Sequence, residues 1–261
     1  MPLFARFRAL PDKDKAALIR KLLVNGTPDF DYFYLIGLST LMATLGLLLN
    51  SGSIVIGSML IAPLMYPILG VSLGLVMMGN NINLLQRALN TLVKSLAAGL
   101  FLSVLAAFFF GNETTYHSAE VLARTEPSHL HFLVAIVAGA AVTFMMARPE
   151  WGDALAGVAI AVALIPPLAT IGIGIAAASA FIIKGAMMIL LLNLFGIIAI
   201  AVIMFLLMNL SEKEDIAIST VKREDEKHKN ENKKVAEVAE QITISKDTKS
   251  VSVHEDIIVK S

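Results

Sequence analysis

The sequence predicts an all-α integral membrane protein with six transmembrane helices in a three-plus-three inverted repeat, spans two and five being broken by proline and glycine. Three observations carry this. Of 261 residues 56% are apolar, and the mean hydropathy is positive, too apolar for a soluble domain of ordinary composition. Six apolar runs are each long enough for a hydrocarbon core of about 30 Å, which takes roughly 20 helical residues. Displacing the chain by one hundred residues then superposes three glycines and one proline in and just before the second run on their like in and just before the fifth.

Residues 1–31 read as a cytoplasmic amphipathic lead-in. Asp12 can cap "KDKAALIRKLL", Leu18, Ile19, Leu22 and Leu23 share a side, and Gly26 stops the helix. No run with a small-residue cleavage pattern precedes the first span, so the N-terminus is expected to belong to the mature chain. Phe30, Tyr32, Phe33 and Tyr34 fall where an aromatic belt is expected.

The first repeat, 32–110, holds spans near Tyr32–Leu49, Ile54–Met78 and Ala88–Phe110. An outer loop follows over 111–129. The second repeat, 130–210, holds spans near Leu130–Ala147, Ala154–Ala178 and Ala186–Leu210. Helices are favoured because a lone strand leaves its backbone unsatisfied in lipid, and the alternation of barrel strands is missing. Lys94 stands near one end of the third run, where its chain can snorkel to the interface. The tail, 211–261, switches to charged residues; part of it reads as helix, and "ITIS", "SVSV" and "DIIV" alternate as short strands could.

Orientation follows from Lys and Arg. With the N-terminus inside, only Arg124 and Lys184 fall outside. The lead-in, Arg87, Lys94, Arg148 and the tail are inside, which places both termini in the cytoplasm and the protein in the inner (plasma) membrane.

At the hundred-residue offset, Gly52 matches Gly152, Gly57 matches Gly157, Pro67 matches Pro167 and Gly74 matches Gly174. A three-span unit makes an odd number of crossings, so its second copy enters from the opposite face. A proline inside a helix removes a hydrogen bond and clashes with the preceding turn. One such residue can be a packed kink, and glycines can simply permit close helix contact. Paired prolines flanked by glycines at corresponding places in inverted halves are the pattern of broken helices that line a site near the midplane. The candidate pathway residues are therefore Ser58, Pro63, Tyr66, Pro67, Gly70, Gly74, Pro166, Pro167, Thr170 and Gly174.

The chemistry available there is neutral. The spans hold no acid or histidine at mid-depth, which disfavours a carboxylate proton relay. Ser39, Thr40, Thr44, Ser58, Tyr66, Ser72, Ser103, Thr143, Thr170 and Asn193 supply hydroxyls and an amide. Most of the hydroxyls are expected to bond the preceding turn of their own helix. With half-helix ends they could meet a neutral solute, an anion or an alkali cation.

No enzyme is expected. HExxH, a Ser–His pair and paired aspartates are missing from the spans, and cysteine is absent. No GK[ST] accompanies the glycines, so a nucleotide loop is excluded, and no cofactor, metal or nucleic acid is implied. His129 and His131, without further ligands, read as a solvated pair rather than a metal site.

The segment "NSGSIVIGSMLIAPLMYPILGVSLGL" resembles the hallmark of the uncharacterised hydrophobic domain family, domain of unknown function 389, and "AVALIPPLATIGIGIA" resembles its second signature. The resemblance covers roughly Asp31 to Leu210. It implies a multi-span prokaryotic membrane protein and contributes no substrate.

The function expected is a transporter or channel for a small solute or ion, with its pathway at the broken helices. The competing reading is a non-transporting assembly or sensory component acting through its cytoplasmic tail. The partners expected are the lipid bilayer, the solute or ion, and a further copy of the chain at the small-residue faces.

Overall fold

The structure, a computed structural model, describes residues 11–26, 28–77, 82–147, 153–210, 215–223 and 226, without the side chains of 82 and 153–163. The described residues divide into two compact units between Ala217 and Ile218. In the second unit the described residues, 218–223 and 226, are helical. The tail segments expected as strands, and residues 148–152 between spans four and five, lie outside the described residues.

The first unit is helical, with no strand among its described residues. Besides the helical residues 215–217, its described residues form α1 (Asp12–Asn25), α2 (Phe30–Leu48), α3 (Gly52–Met59), α4 (Met65–Val76), α5 (Ile82–Phe110), α6 (Glu113–Tyr116), α7 (Ala119–Leu122), α8 (His129–Met146), α9 (Asp153–Ala176) and α10 (Ala180–Leu207). Four of them are long and apolar enough to cross a membrane: α2, residues 83–110 of α5, α8 and α10. Met65–Val76 and Leu164–Ala176 are shorter apolar helices. The chain is a multi-span membrane protein.

Lateral contacts fix how the helices run. The Tyr32 hydroxyl lies 2.8 Å from Ser95 Oγ, Gly99 abuts Thr40 and Ile36, and Thr44 bonds Ser103. The numbers rise together, so α2 and α5 are parallel. Helix α9 is at the centre: it packs against α2, α3, α5, α8 and α10, and every residue from Leu164 to Gly174 is buried. In α4 the same holds from Pro67 to Gly74.

Two hairpins share one construction. After α2, Asn50 adopts φ 53° and the Ser51 N–H bonds the Gly46 carbonyl at 2.9 Å. After α9, Ala178 adopts φ 49° and the Ser179 N–H bonds the Gly174 carbonyl at 2.9 Å. These are Schellman-type helix ends, which close the last carbonyls of a helix at a left-handed residue. The 111–129 segment contains α6 and α7 rather than plain loop. It seals onto the same end of the bundle: Ser118 Oγ donates to the Leu47 carbonyl at 2.8 Å, the Glu120 N–H donates to Asn50 Oδ1 at 3.0 Å, and Gly185 lies against the Thr125 backbone.

Some expectations need correction. Asp12 is the first helical residue of α1, and Pro11 holds the cap position without a side-chain bond. Proline suits this place because its missing N–H is one the helix start cannot pair. Leu18, Ile19 and Leu22 are buried because α1 packs on α4, rather than lying on the interface, while Leu23 is half-buried. Of the aromatic belt, Phe30 and Tyr34 are 81% and 57% exposed, but Tyr32 is turned inward. Helices α5 and α10 begin earlier than their apolar runs, since Arg87 and Lys184 extend a helix as readily as they bound a hydrophobic stretch.

The main correction concerns span five. Helix α9 runs unbroken through Pro166 and Pro167. Tandem prolines remove two neighbouring N–H groups, so the unpaired carbonyls fall on one turn. Close packing on all sides of Leu164–Gly174 holds that turn in helical form. Span two, by contrast, is discontinuous: residues 60–64 separate α3 from α4.

Candidate functional site

The break in span two has a clear local origin. Pro63 biases Ala62 away from the α region, and Pro67 cannot donate to the carbonyl at position 63. The helix therefore stops after Met59 and restarts at Met65. The two halves then have different neighbours: α3 packs on α2 and α9, whereas α4 packs chiefly on α5 and α10.

At the end of α3 the Ser58 carbonyl accepts from Ser39 Oγ at 2.7 Å and from the Ile61 N–H at 3.2 Å. Ser58 Oγ turns back to the Val55 carbonyl at 2.6 Å. Pro63 and Tyr66 are half-buried beside the break, and Pro67 is buried. Lead-in helix α1 packs on α4, and a Cβ at Gly26 would lie 3.8 Å from the Tyr66 carbonyl. The break therefore starts level with Ser39 in the middle of α2, and the first turn of α4 after it lies near the end of the lead-in.

A second polar cluster lies where α2, α5 and α9 meet. Thr44 Oγ1 donates to Ser103 Oγ at 2.8 Å, and Ser103 Oγ donates to the Ala169 carbonyl at 3.0 Å. Thr170 Oγ1 donates to the Pro166 carbonyl at 2.9 Å. Thr40, Thr44, Ser103 and Thr170 are fully buried. Ser103 thus relays a bond between two spans just beyond the tandem prolines. Composition singled out its hydroxyl, but nothing in the sequence pairs it with Thr44.

The predicted site residues divide by role. Ser58, Pro63, Tyr66 and Pro67 gather at the break, and Pro166, Pro167 and Thr170 lie in α9, which packs against both α3 and α4. The glycines serve close packing: a Cβ at Gly70 would meet Ala88 Cβ at 3.3 Å, one at Gly74 the Leu85 Cα at 2.7 Å, and one at Gly174 Ile182 and Ile183 at 2.9 Å. As expected of most of the hydroxyls, Thr40, Ser72 and Thr143 bond the preceding turn. Ser39 and Ser103 depart from that pattern and cross between helices.

His129 and His131 stand two residues apart on α8, so they do not share a helix face. His129 lines a cavity of about 640 Å³ with Pro127, Ser128, Phe132, Met188, Leu192 and Phe195.

A family described as domain of unknown function (DUF389) matches residues 59–199, just over half of the chain. That interval runs from the end of α3 into α10 and includes the break, both proline pairs and Ser103. A curated relative, Uncharacterized protein MJ0678 of Methanocaldococcus jannaschii, is 28% identical over 193 residues, covering 72% of this chain. The chain spans 59% of that relative's length. No solved structure matches.

Proposed function

The chain belongs to the DUF389 family, and on that premise we propose that it is a multi-pass inner-membrane transporter or channel that passes a small solute or ion at the discontinuity of span two. The observation that carries the reading is the helix break at 60–64 inside an apolar span. Irregular backbone at membrane depth is tolerated where it is buried in protein or lines a cavity, and transporters place substrate at such breaks.

In this reading α3 is the fixed half, held to α2 through Ser39 and Ser58. Helix α4 is the half that moves, and its neighbours α1, α5 and α10 would follow it. The partner in the second repeat is α9, whose proline turn is a weakened but unbroken helix. The three-plus-three inverted repeat belongs to this proposal, as do six crossings and cytoplasmic termini. The groups offered at the break are backbone carbonyls and hydroxyls, which suit dehydrated cations and neutral polar solutes better than proton transfer. No covalent chemistry is assigned.

The test is electrical recording from purified protein in a planar bilayer under K⁺, Na⁺ and chloride gradients, followed by solute flux in vesicles. Unitary currents or saturable flux are expected, and both should vanish in the Pro63→Ala/Pro67→Ala variant while the protein stays folded. Unchanged passage in that variant, or silence from inserted wild-type protein in both assays, rejects the proposal.

A further inference from the structure

The cavity at the start of α8 is separate from both proline turns. Three of its lining residues, Met188, Leu192 and Phe195, follow each other at i, i+4 and i+7 on α10, so they form one stripe. Lys184 continues that stripe one turn earlier and is exposed. From Lys184 to Phe195 the stripe is about 16 Å long at the α-helical rise. Across from it, Phe132 stacks on Phe195 with ring centroids 6.3 Å apart, and Ser128 and His129, around the start of α8, line the same cavity.

The mouth of this groove faces the surface that a bilayer would cover. Met188 and Phe195 are exposed, and so are their neighbours Leu130, Leu133, Val134 and Leu191. The α10 side of the groove is therefore apolar from Met188 to Phe195 and cationic only one turn beyond, at Lys184. Glu126 is the one acid in the connecting stretch between Arg124 and His129, and it is exposed; Arg124 itself is paired with Glu120.

We infer that this groove holds one membrane phospholipid, with an acyl chain along Met188, Leu192 and Phe195 and its phosphate at the level of Lys184. The match is one of polarity along a single axis. A water-soluble ligand would gain nothing from two turns of apolar stripe opening on lipid. A second copy of the chain would have to bury the Lys184 end, where a lone cation meets no acid on the stripe. A phospholipid satisfies both ends, since a lysine near the bilayer surface attracts anionic groups and Met and Phe side chains accept a flexible chain. The inference rests on membrane insertion alone and is independent of transport.

Native mass spectrometry of the full chain, with added phosphatidylglycerol or with diacylglycerol of the same chains, tests it. Wild-type protein should retain one phosphatidylglycerol in preference to diacylglycerol. Lys184→Gln should lower phosphatidylglycerol retention about fivefold, the effect of one lysine at a lipid surface, and leave diacylglycerol unchanged. Leu192→Trp, which fills the groove, should abolish retention of both. Equal retention of the two lipids by wild type, or retention unaffected by both variants, overturns the inference, as does a lipid-free dimer lost in Leu192→Trp. Lys184 is exposed, so its variant keeps the test valid if Leu192→Trp fails to fold.

Discussion

Ser39 in α2 donates a hydrogen bond to the Ser58 carbonyl in α3 at 2.7 Å. Both residues are fully buried, and the bond joins span one to the last turn before the break. A buried carbonyl at a helix end needs a partner, since leaving such a group unsatisfied costs on the order of 1–3 kcal/mol.

Replacing Ser39 by alanine leaves the Ser58 carbonyl with the Ile61 N–H at 3.2 Å as its other bond. Because that bond remains, the loss should be about 1 kcal/mol, near the mean for one hydrogen bond. Thermal unfolding in detergent should show a lowered midpoint, and amide exchange should rise at residues 57–61 in particular. A uniform rise across α2 and α3 would mean that the bond serves general packing and not the break.

The glycines make a graded prediction. A Cβ at Gly172 would stand 2.6 Å from Ser103 Cβ and 3.0 Å from the Ser103 carbonyl carbon. Neither atom can yield without moving α5, so Gly172→Ala should cost about 1–3 kcal/mol, as overpacking does. At Gly70 the nearest atom is Ala88 Cβ at 3.3 Å, which a few tenths of an ångström of adjustment relieves. Gly70→Ala should lie within about 1 kcal/mol of wild type, its better helix propensity offsetting the contact. Equal midpoints for the two variants would show that α5 yields to the added methyl without cost.

Topology can be read directly because the chain has no cysteine. Thr114 in α6, Lys13 in α1 and Lys222 are all exposed. Single variants Thr114→Cys, Lys13→Cys and Lys222→Cys should divide cleanly with a membrane-impermeant maleimide. Thr114→Cys should label in intact cells, and the other two only after permeabilisation. Labelling of Lys222→Cys and Lys13→Cys from opposite sides would imply an odd number of crossings and exclude the three-plus-three arrangement.

What the sequence made legible was set by one-dimensional signals. The apolar runs located α2, α8 and the body of α5 and α10, because burial in lipid leaves a compositional mark. Proline chemistry located the gap between α3 and α4. The same chemistry failed at Pro166–Pro167, where packing around Leu164–Gly174 overrides the local preference, and packing is invisible to a proline count. Ser39 and Ser103 were legible as hydroxyls but not as links, since their acceptors are 19 and 66 residues away. The groove at Met188, Leu192 and Phe195 arises from the register of two helices that are distant in the chain.

The unbroken α9 yields a prediction that separates function from fold at the tandem prolines. Pro167 lacks the N–H that would bond the carbonyl four residues earlier, at Ala163, and its ring crowds that turn. Pro167→Ala restores a donor, and alanine is the best helix former. The substitution should leave the protein equally or more thermally stable, and amide exchange at 167 should be slow, reporting the new bond. If the weakened turn serves the movement of α4 against α9, flux should fall by tenfold or more, although no contact with solute has been removed. A variant that is less stable and transports normally would show the opposite: the prolines would then be a packing device, and the pathway would belong to the α3–α4 break alone.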